Sequence, residues 1–139
     1  MTITATTTVH TDTRPALWRP ALASGLAAAA ATTAMAAALG AVGVSFEIDG
    51  EAIPLLGFAN LTLMCVAAGF FLAVALRRFA RNPRRTFARS TVALTVASLI
   101  PDVIATASVG TRISLMAMHV VAAVIVIPAI AARLPEQRR

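Results

Sequence analysis

Two side chains with acid–base chemistry lie inside the apolar part of this 139-residue chain. Asp102 is the one carboxylate, and His119 the one histidine, within its long apolar segments. A carboxylate deep in a bilayer costs at least ~2.5–3.5 kcal/mol, so Asp102 needs either a proton or a partner. An imidazole nearby would titrate with it as a coupled pair. We therefore predict that Asp102 and His119 share one site, which is either functional or a polar contact that joins two helices.

Further candidates lie at a similar depth in the predicted helices. Counted from the ends of the apolar segments that lie on one side of the membrane, Asn60 is five residues in, Asp102 seven and His119 six. At 1.5 Å per residue these positions are roughly 7 to 11 Å deep. Asn60 is therefore predicted to line the same pocket and to orient a substrate or an oxyanion. The predicted ligand-binding residues, which are soft apolar, hydroxyl-bearing or acidic, are Met64, Met116, Thr106, Ser98, Glu47 and Glu51.

The common catalytic motifs do not occur in the sequence. It contains no Ser-His-Asp signature, glycine-rich phosphate loop or HExxH motif. We expect cofactor-independent acid–base chemistry on a lipophilic, terpenoid-like molecule: isomerisation, epoxide opening, cyclisation or hydrolysis. Asp102 would be the general acid and His119 its partner or the base. No cofactor and no metal are expected, because haem or copper on His119 with Met116 or Met118 would have a thin ligand set.

A second interpretation is a non-enzymatic transporter or an accessory membrane subunit. Asp102 and His119 would then relay protons or hold helices together. The small residues of the first apolar segment suit a homo-oligomer or a larger membrane complex. Genomic neighbours would separate the interpretations, since biosynthetic genes favour an enzyme and transporter or secretion genes favour a subunit.

The composition indicates a membrane protein. Apolar residues make up 58% of the chain and charged residues 13%, with a mean hydropathy of +0.81. The predicted fold is an all-α, four-transmembrane-helix bundle, and the predicted helices cover residues 21–44, 55–76, 91–109 and 113–132. Residues 1–19 are predicted to be a disordered cytoplasmic tail, and residues 20–139 a single domain. A cleaved signal peptide is the rival interpretation of the first segment, but the apolar run is too long.

The connections between these segments carry turn and cap signals. Residues 45–54 contain three acidic residues around Asp49-Gly50, which predicts a short hairpin lid or an irregular acidic loop. Asn82 and Pro83 are expected to begin the third helix. Gly110 is expected to end it, and Thr111 to cap the fourth. Cys65 stands alone in an apolar run and is expected to be a packed side chain.

The arginines predict the orientation in the membrane. The net charge of +6 comes from twelve arginines, and eleven of them lie in the tails and the middle connection. Arg112 is the exception. Because basic segments remain in the cytoplasm, we expect both termini there, in a plasma-membrane protein with the acidic connection outside. Nucleic-acid binding is not expected, since the arginines flank apolar runs instead of forming one basic face.

Two stretches resemble a known group of proteins. They are GEAIPLLGF at residues 50–58 and MHVVAAVIVIP at residues 118–128. The chain resembles small four-helix actinobacterial membrane proteins that are catalogued only as a domain of unknown function. The resemblance covers nearly all of the chain beyond the N-terminal tail. It implies a four-helix membrane fold, and no activity, substrate or catalytic residue follows from it.

Overall fold

Four long helices and one small hairpin make up the described part of the protein. The computed structural model describes residues 16–136, and the predicted disorder of residues 1–15 lies outside that range. The elements are α1 (Trp18–Ala41), β1 (Glu47–Ile48), β2 (Glu51–Ala52), α2 (Leu55–Phe79), α3 (Pro83–Ile104) and α4 (Val109–Ala131). All four helices are long and apolar enough to cross a membrane. The predicted class, an all-α membrane bundle, is confirmed.

The first two helices differ from their predicted bounds by three residues. α1 already begins at Trp18, so the predicted tail is helical in its last two residues. It ends before Gly43, whose φ of 99° allows the amides of Gly43 and Val44 to bond back to the carbonyls of Gly40 and Leu39. α2 runs on to Phe79. Its last turn therefore contains two arginines, where the helix dipole favours positive charge.

The bounds predicted for α3 and α4 need larger corrections. α3 begins at Pro83, as the Asn82-Pro83 pair predicted and eight residues before the predicted bound of 91, because proline suits the first helical position. Asn82 makes no side-chain cap bond. It ends at Ile104, shortly after Pro101, so Gly110 does not end it. The cap of α4 is Ser108, whose Oγ accepts a hydrogen bond from the Thr111 amide at 3.1 Å. The predicted cap at Thr111 is therefore wrong.

The acidic connection forms a hairpin, the first of the two alternatives predicted for it. Glu47 and Ile48 pair antiparallel with Ala52 and Glu51. The two residues between the strands, Asp49 and Gly50, have φ of 53° and 83°. Such positive values at both central positions are what a tight two-residue hairpin turn requires, and they explain the Asp-Gly pair.

Contacts with the helices hold this hairpin in place. The amide of Asp49 donates to the carbonyl of Thr106 at 3.1 Å. The rings of Phe46 and Phe58 pack edge to face, with centroids 5.1 Å apart. A hairpin of two-residue strands is marginal on its own, so these contacts stabilise it. We call this end of the bundle the hairpin end and the opposite end, which carries Arg77 to Arg89, the arginine end.

α1 lies against both α2 and α4 through small side chains. Small residues at every fourth position of α1 are buried at Ser24, Ala28, Thr32 and Ala36 and exposed at Gly40. Towards α2, the hydroxyls of Thr32 and Thr62 are hydrogen-bonded at 3.0 Å. A Cβ at Gly25 would lie 2.9 Å from Val66 Cγ1. Without a side chain at this position the two helices approach closely, as in other membrane helix pairs.

Each end of the bundle has its own apolar core. Phe87, Ile130 and Leu134 belong to the cluster at the arginine end, and Leu115 and Met118 belong to the one at the hairpin end. The chain after α4 folds back on the start of α3. There the Arg84 amide donates to the Pro135 carbonyl, and the Arg84 guanidinium pairs with Glu136.

The contact between α1 and α2 makes a prediction about stability. Gly25→Ala places a methyl group against the stiff Val66 side chain and should destabilise the protein by about 1–2 kcal/mol. The midpoint of unfolding in detergent measures the change. Gly69→Ala is the matched control, since nothing lies within 4 Å of its added Cβ, and it should be neutral. In a Val66→Ala background, Gly25→Ala should lower the stability by less. An equal loss of stability would contradict the clash with Val66.

Candidate functional site

Asp102 and His119 meet between α3 and α4. The Asp102 Oδ2 atom lies 3.0 Å from His119 Nδ1. Asp102 is buried, whereas the His119 side chain is 36% exposed. The predicted contact between the only carboxylate and the only histidine of the apolar segments is therefore present.

The two residues reach the same level although α3 is shorter than predicted. Asp102 lies two residues from the end of α3, not seven, and His119 lies ten residues into α4. Measured from the arginine end, Asp102 is thirteen residues beyond Arg89, and His119 is fourteen residues before Arg133. Both distances are about 20 Å at 1.5 Å per residue, which is the far half of a hydrocarbon core about 30 Å thick. Residues 105–108 then continue away from the arginine end to the start of α4.

A second contact of His119 assigns the proton on its ring. Nδ1 also lies 3.0 Å from the carbonyl oxygen of Leu115, one turn back on α4. A carbonyl only accepts, so Nδ1 carries a hydrogen and donates it to Leu115. Asp102 Oδ2 is close to the same nitrogen but out of line with this N–H, and it is a buried oxygen with no aligned hydrogen bond within residues 16–136. In the neutral ring, Nε2 then has the free lone pair.

The neighbouring hydroxyl groups on α3 do not serve the pair. Ser98 donates to the Thr95 carbonyl at 2.7 Å, and Thr95 donates to the Thr91 carbonyl at 2.9 Å. Each hydroxyl thus bonds to its own helix, as serine and threonine often do in membrane helices. His119 and Asp102 consequently depend on each other and on Leu115.

The structure does not bring Asn60 to this pair. Asn60 and Met64 are exposed on α2. The buried residues of that helix, Phe58, Val66 and Ala73, lie roughly 120–160° round the helix from Asn60. Asn60 had the expected depth, but its side chain points away from the bundle.

The remaining predicted ligand-binding residues surround the hairpin end without a common polar contact. Met116 is partly buried, while Thr106, Glu47 and Glu51 are exposed. Thr106 takes part through its backbone carbonyl, which anchors the hairpin. Met118 is buried in the core at the hairpin end. No group of three His, Cys, Asp or Glu side chains that could hold a metal occurs among residues 16–136.

Sequence reasoning missed Leu115 as a residue of the site and did not predict the partial burial of Arg112. Leu115 supplies the carbonyl that orients His119, and the four-residue spacing on one helix was the available signal. Arg112 is partly buried, and its Nε has no hydrogen-bond partner within the described range. It lies seven residues before His119, on the same face of α4. Charge alone marked Arg112 as unusual, but nothing in the sequence showed its burial.

An apolar groove lies elsewhere, between α1 and α2. It has a volume of about 290 Å³ and includes Trp18, Gly25, Val66 and Phe70 in its lining. Its position near the start of α1 puts it in the half of the bundle at the arginine end, away from Asp102 and His119. The groove and the polar pair are therefore separate features.

The pair can take up and release a proton. Its free Nε2 can accept one from a ligand, and the ring then becomes a cation beside the Asp102 carboxylate. The carboxylate, 3.0 Å from Nδ1, then offsets the charge of the imidazolium, while the Leu115 carbonyl holds the orientation of the ring. The partial exposure of His119 leaves the ring reachable, while Asp102 remains buried.

Comparison with known proteins gives one match. A profile described as "Family of unknown function (DUF6069)" matches residues 12–136. No curated protein and no solved structure matches the chain. The profile covers all four helices, the hairpin and both members of the polar pair. The chain therefore belongs to the DUF6069 family, whose function is unknown.

Proposed function

We propose that this membrane protein binds a lipophilic small molecule and transfers a proton to or from it at His119. The observation that carries the proposal is the 3.0 Å contact between Asp102 Oδ2 and His119 Nδ1, which joins two helices apolar enough to cross a membrane. An ionisable residue at membrane depth is costly and commonly functional. Here the costly residue is buried against the one side chain nearby that can share its proton.

His119 is the residue that touches the ligand, and Asp102 acts through it. Nε2 takes a proton from an acidic C–H or O–H group of the ligand. The imidazolium returns that proton to another atom of the same molecule, so an isomerisation or cyclisation is balanced without a cofactor. In an epoxide opening, the ligand's own hydroxyl can lose its proton to Nε2 and attack the ring carbon, and the released oxygen takes the proton back.

The surroundings of the ring favour an apolar, terpenoid-like ligand. The large exposed side chains next to the pair on α3 and α4 include Val103 and Val120, which are apolar. A ligand that approaches His119 from the bilayer meets these side chains first. A polar substrate would have to leave water to reach the same atom, which lies roughly 10 Å inside the hydrocarbon layer on the hairpin side.

The second candidate is a structural role in an accessory membrane subunit. Within α3 the buried residues are Pro83, Phe87 and Asp102, so Asp102 is the buried side chain in the half of α3 at the hairpin end. Its contact with His119 joins that half to α4. An interhelical contact of this kind is worth about 0.6–2 kcal/mol in membranes.

The proposed setting is the plasma membrane, with both termini in the cytoplasm and the hairpin outside. The uneven distribution of arginine supports this orientation, because α2 and α3 carry Arg77 to Arg89 at the same end of the bundle. The acidic residues of the hairpin lie at the other end. A ligand would then reach the pair from the outer leaflet.

Labelling of single cysteines tests this orientation. In a Cys65→Ala background, a cysteine introduced at Asp49 should react with an impermeant thiol reagent in intact cells. A cysteine introduced at Arg81 should react only after the cells are opened, because the positive-inside rule puts it in the cytoplasm. Both positions are exposed in the structure, so accessibility in the fold is matched. The reverse labelling pattern would contradict the orientation.

The ring of His119 should be the tautomer with hydrogen on Nδ1. The 3.0 Å contact with the Leu115 carbonyl is the reason. Nitrogen-15 NMR of histidine-labelled protein in bilayers measures the tautomer, and His10→Ala leaves a single histidine signal. A neutral ring with hydrogen on Nε2 would show that Nε2 is not the base.

Substitution of Asp102 by asparagine should separate the two candidate roles. Asp102→Asn keeps the shape and can still bond across the helices, so the protein should fold and insert normally. Without the carboxylate the imidazolium loses its counter-charge, and turnover of isoprenoid alkene and epoxide probes in vesicles should fall about 100-fold or more. His119→Gln should abolish it.

Two controls make this result interpretable. Ser98→Ala removes a hydroxyl one turn from Asp102 that bonds only within α3, so it should leave turnover unchanged. Asp102→Leu reports the value of the contact, with an expected loss of about 0.6–2 kcal/mol in unfolding measurements if it only joins helices. An Asp102→Asn protein that turns over the probes at the wild-type rate would leave the structural role as the better explanation.

A further inference from the structure

Asn60 is a polar side chain on the outer surface of the bundle, on a face that no other described element covers. It is exposed, and within residues 16–136 its amide takes part in no hydrogen bond. The buried face of α2 is on the opposite side of the helix. The amide therefore faces away from the other described helices of the same molecule.

The depth of Asn60 places it within the hydrocarbon layer. It lies seventeen residues before Arg77, which is about 26 Å from that first basic residue of α2 along the helix axis. A hydrocarbon core about 30 Å thick extends some 5 Å further. Lipid tails cannot bond to the amide, so a bare Asn60 is unfavourable in the isolated molecule.

We propose that this face of α2 is the interface with a second copy of the chain. An amide both donates and accepts, so Asn60 of one copy can bond to Asn60 of another about a two-fold axis. Two copies inserted in the same orientation have their asparagines at the same depth, and their axis is parallel to the membrane normal. The hydrogen-bond partner of the Asn60 amide is therefore Asn60 of the second molecule.

The residues along this face have the spacing of a helix pair. Asn60 is followed at four, seven, eleven and fourteen residues by Met64, Ala67, Phe71 and Val74, and all five are exposed. Alternating steps of four and three residues form the seam of a left-handed pair of parallel helices. We call these five residues the α2 seam. A single asparagine in such a seam sets the register and the number of helices.

The composition of the α2 seam suits close approach. Ala67, in the middle of it, lets the two backbones come together, and Met64 and Phe71 can pack on either side. Ala67 also borders the groove between α1 and α2, but the contact of Gly25 with Val66 is on a different face of α2 and remains intact. Dimer formation therefore leaves the fold and the Asp102–His119 pair as they are.

Energy transfer between labelled copies in vesicles tests the proposal. The full chain, labelled at a cysteine that replaces Asp49 in a Cys65→Ala background, should associate at dilutions where random proximity gives no signal. Asn60→Leu should raise the dissociation constant about 3- to 30-fold, and Asn60→Gln should largely restore it. Leu61→Ala, which changes an adjacent exposed residue off the seam, should have no such effect.

Cross-linking identifies the face. In the same Cys65→Ala background, Ala67→Cys should form an oxidised dimer efficiently. Ala68→Cys, one residue further along and off the seam, should form little, although both alanines are exposed at nearly the same depth. A wild-type chain that remains monomeric, association unaffected by Asn60→Leu, or equal cross-linking at residues 67 and 68 would each overturn the proposal.

Discussion

The absence of water from the hydrocarbon layer is the constraint that organises this molecule. Every polar group that a helix carries into that layer must find a partner within the protein. The hydroxyls of Thr91, Thr95 and Ser98 find it in the preceding turn of α3. Asp102 cannot do so, because an ionised carboxylate has no hydrogen to donate to a backbone carbonyl. It lies instead against His119 on the next helix. The hydroxyls of α3 are thus satisfied within their own helix, whereas Asp102 depends on a residue of the next helix.

The close packing of α1 against two other helices permits the arrangement of α4 that places His119 beside α3. With Gly25 and small residues on its surface, α1 lies against α2 and α4 together. α4 therefore has one side on α1 and another on α3, and His119 is on the side that faces α3. At the hairpin end, the aromatic pair Phe46 and Phe58 packs beside Leu115, whose carbonyl orients the imidazole. The apolar core at the hairpin end and the polar pair are therefore neighbours, because both include residues of α4.

The sequence was sufficient for the parts of this structure that depend on periodicity and composition. Four apolar segments, the Asp49-Gly50 hairpin and the Asp102–His119 contact all follow from length, turn chemistry and the cost of a buried charge. The helix ends were harder to predict, because several residues near Ser108 are equally suitable as the cap of α4. Depth alone could not place Asn60, since the direction of a side chain depends on which face of α2 is buried.

The two roles proposed for the Asp102–His119 pair, joining helices and transferring a proton, rest on the same 3.0 Å contact. In the neutral ring the single hydrogen on Nδ1 goes to Leu115, and the buried Asp102 oxygen lacks an aligned donor. A buried acceptor without a donor costs about 1–3 kcal/mol. A proton arriving at Nε2 makes the ring a cation and strengthens its attraction to the carboxylate. Proton uptake and the attachment of α3 to α4 are therefore coupled, because the interaction that offsets the imidazolium charge also holds the two helices together.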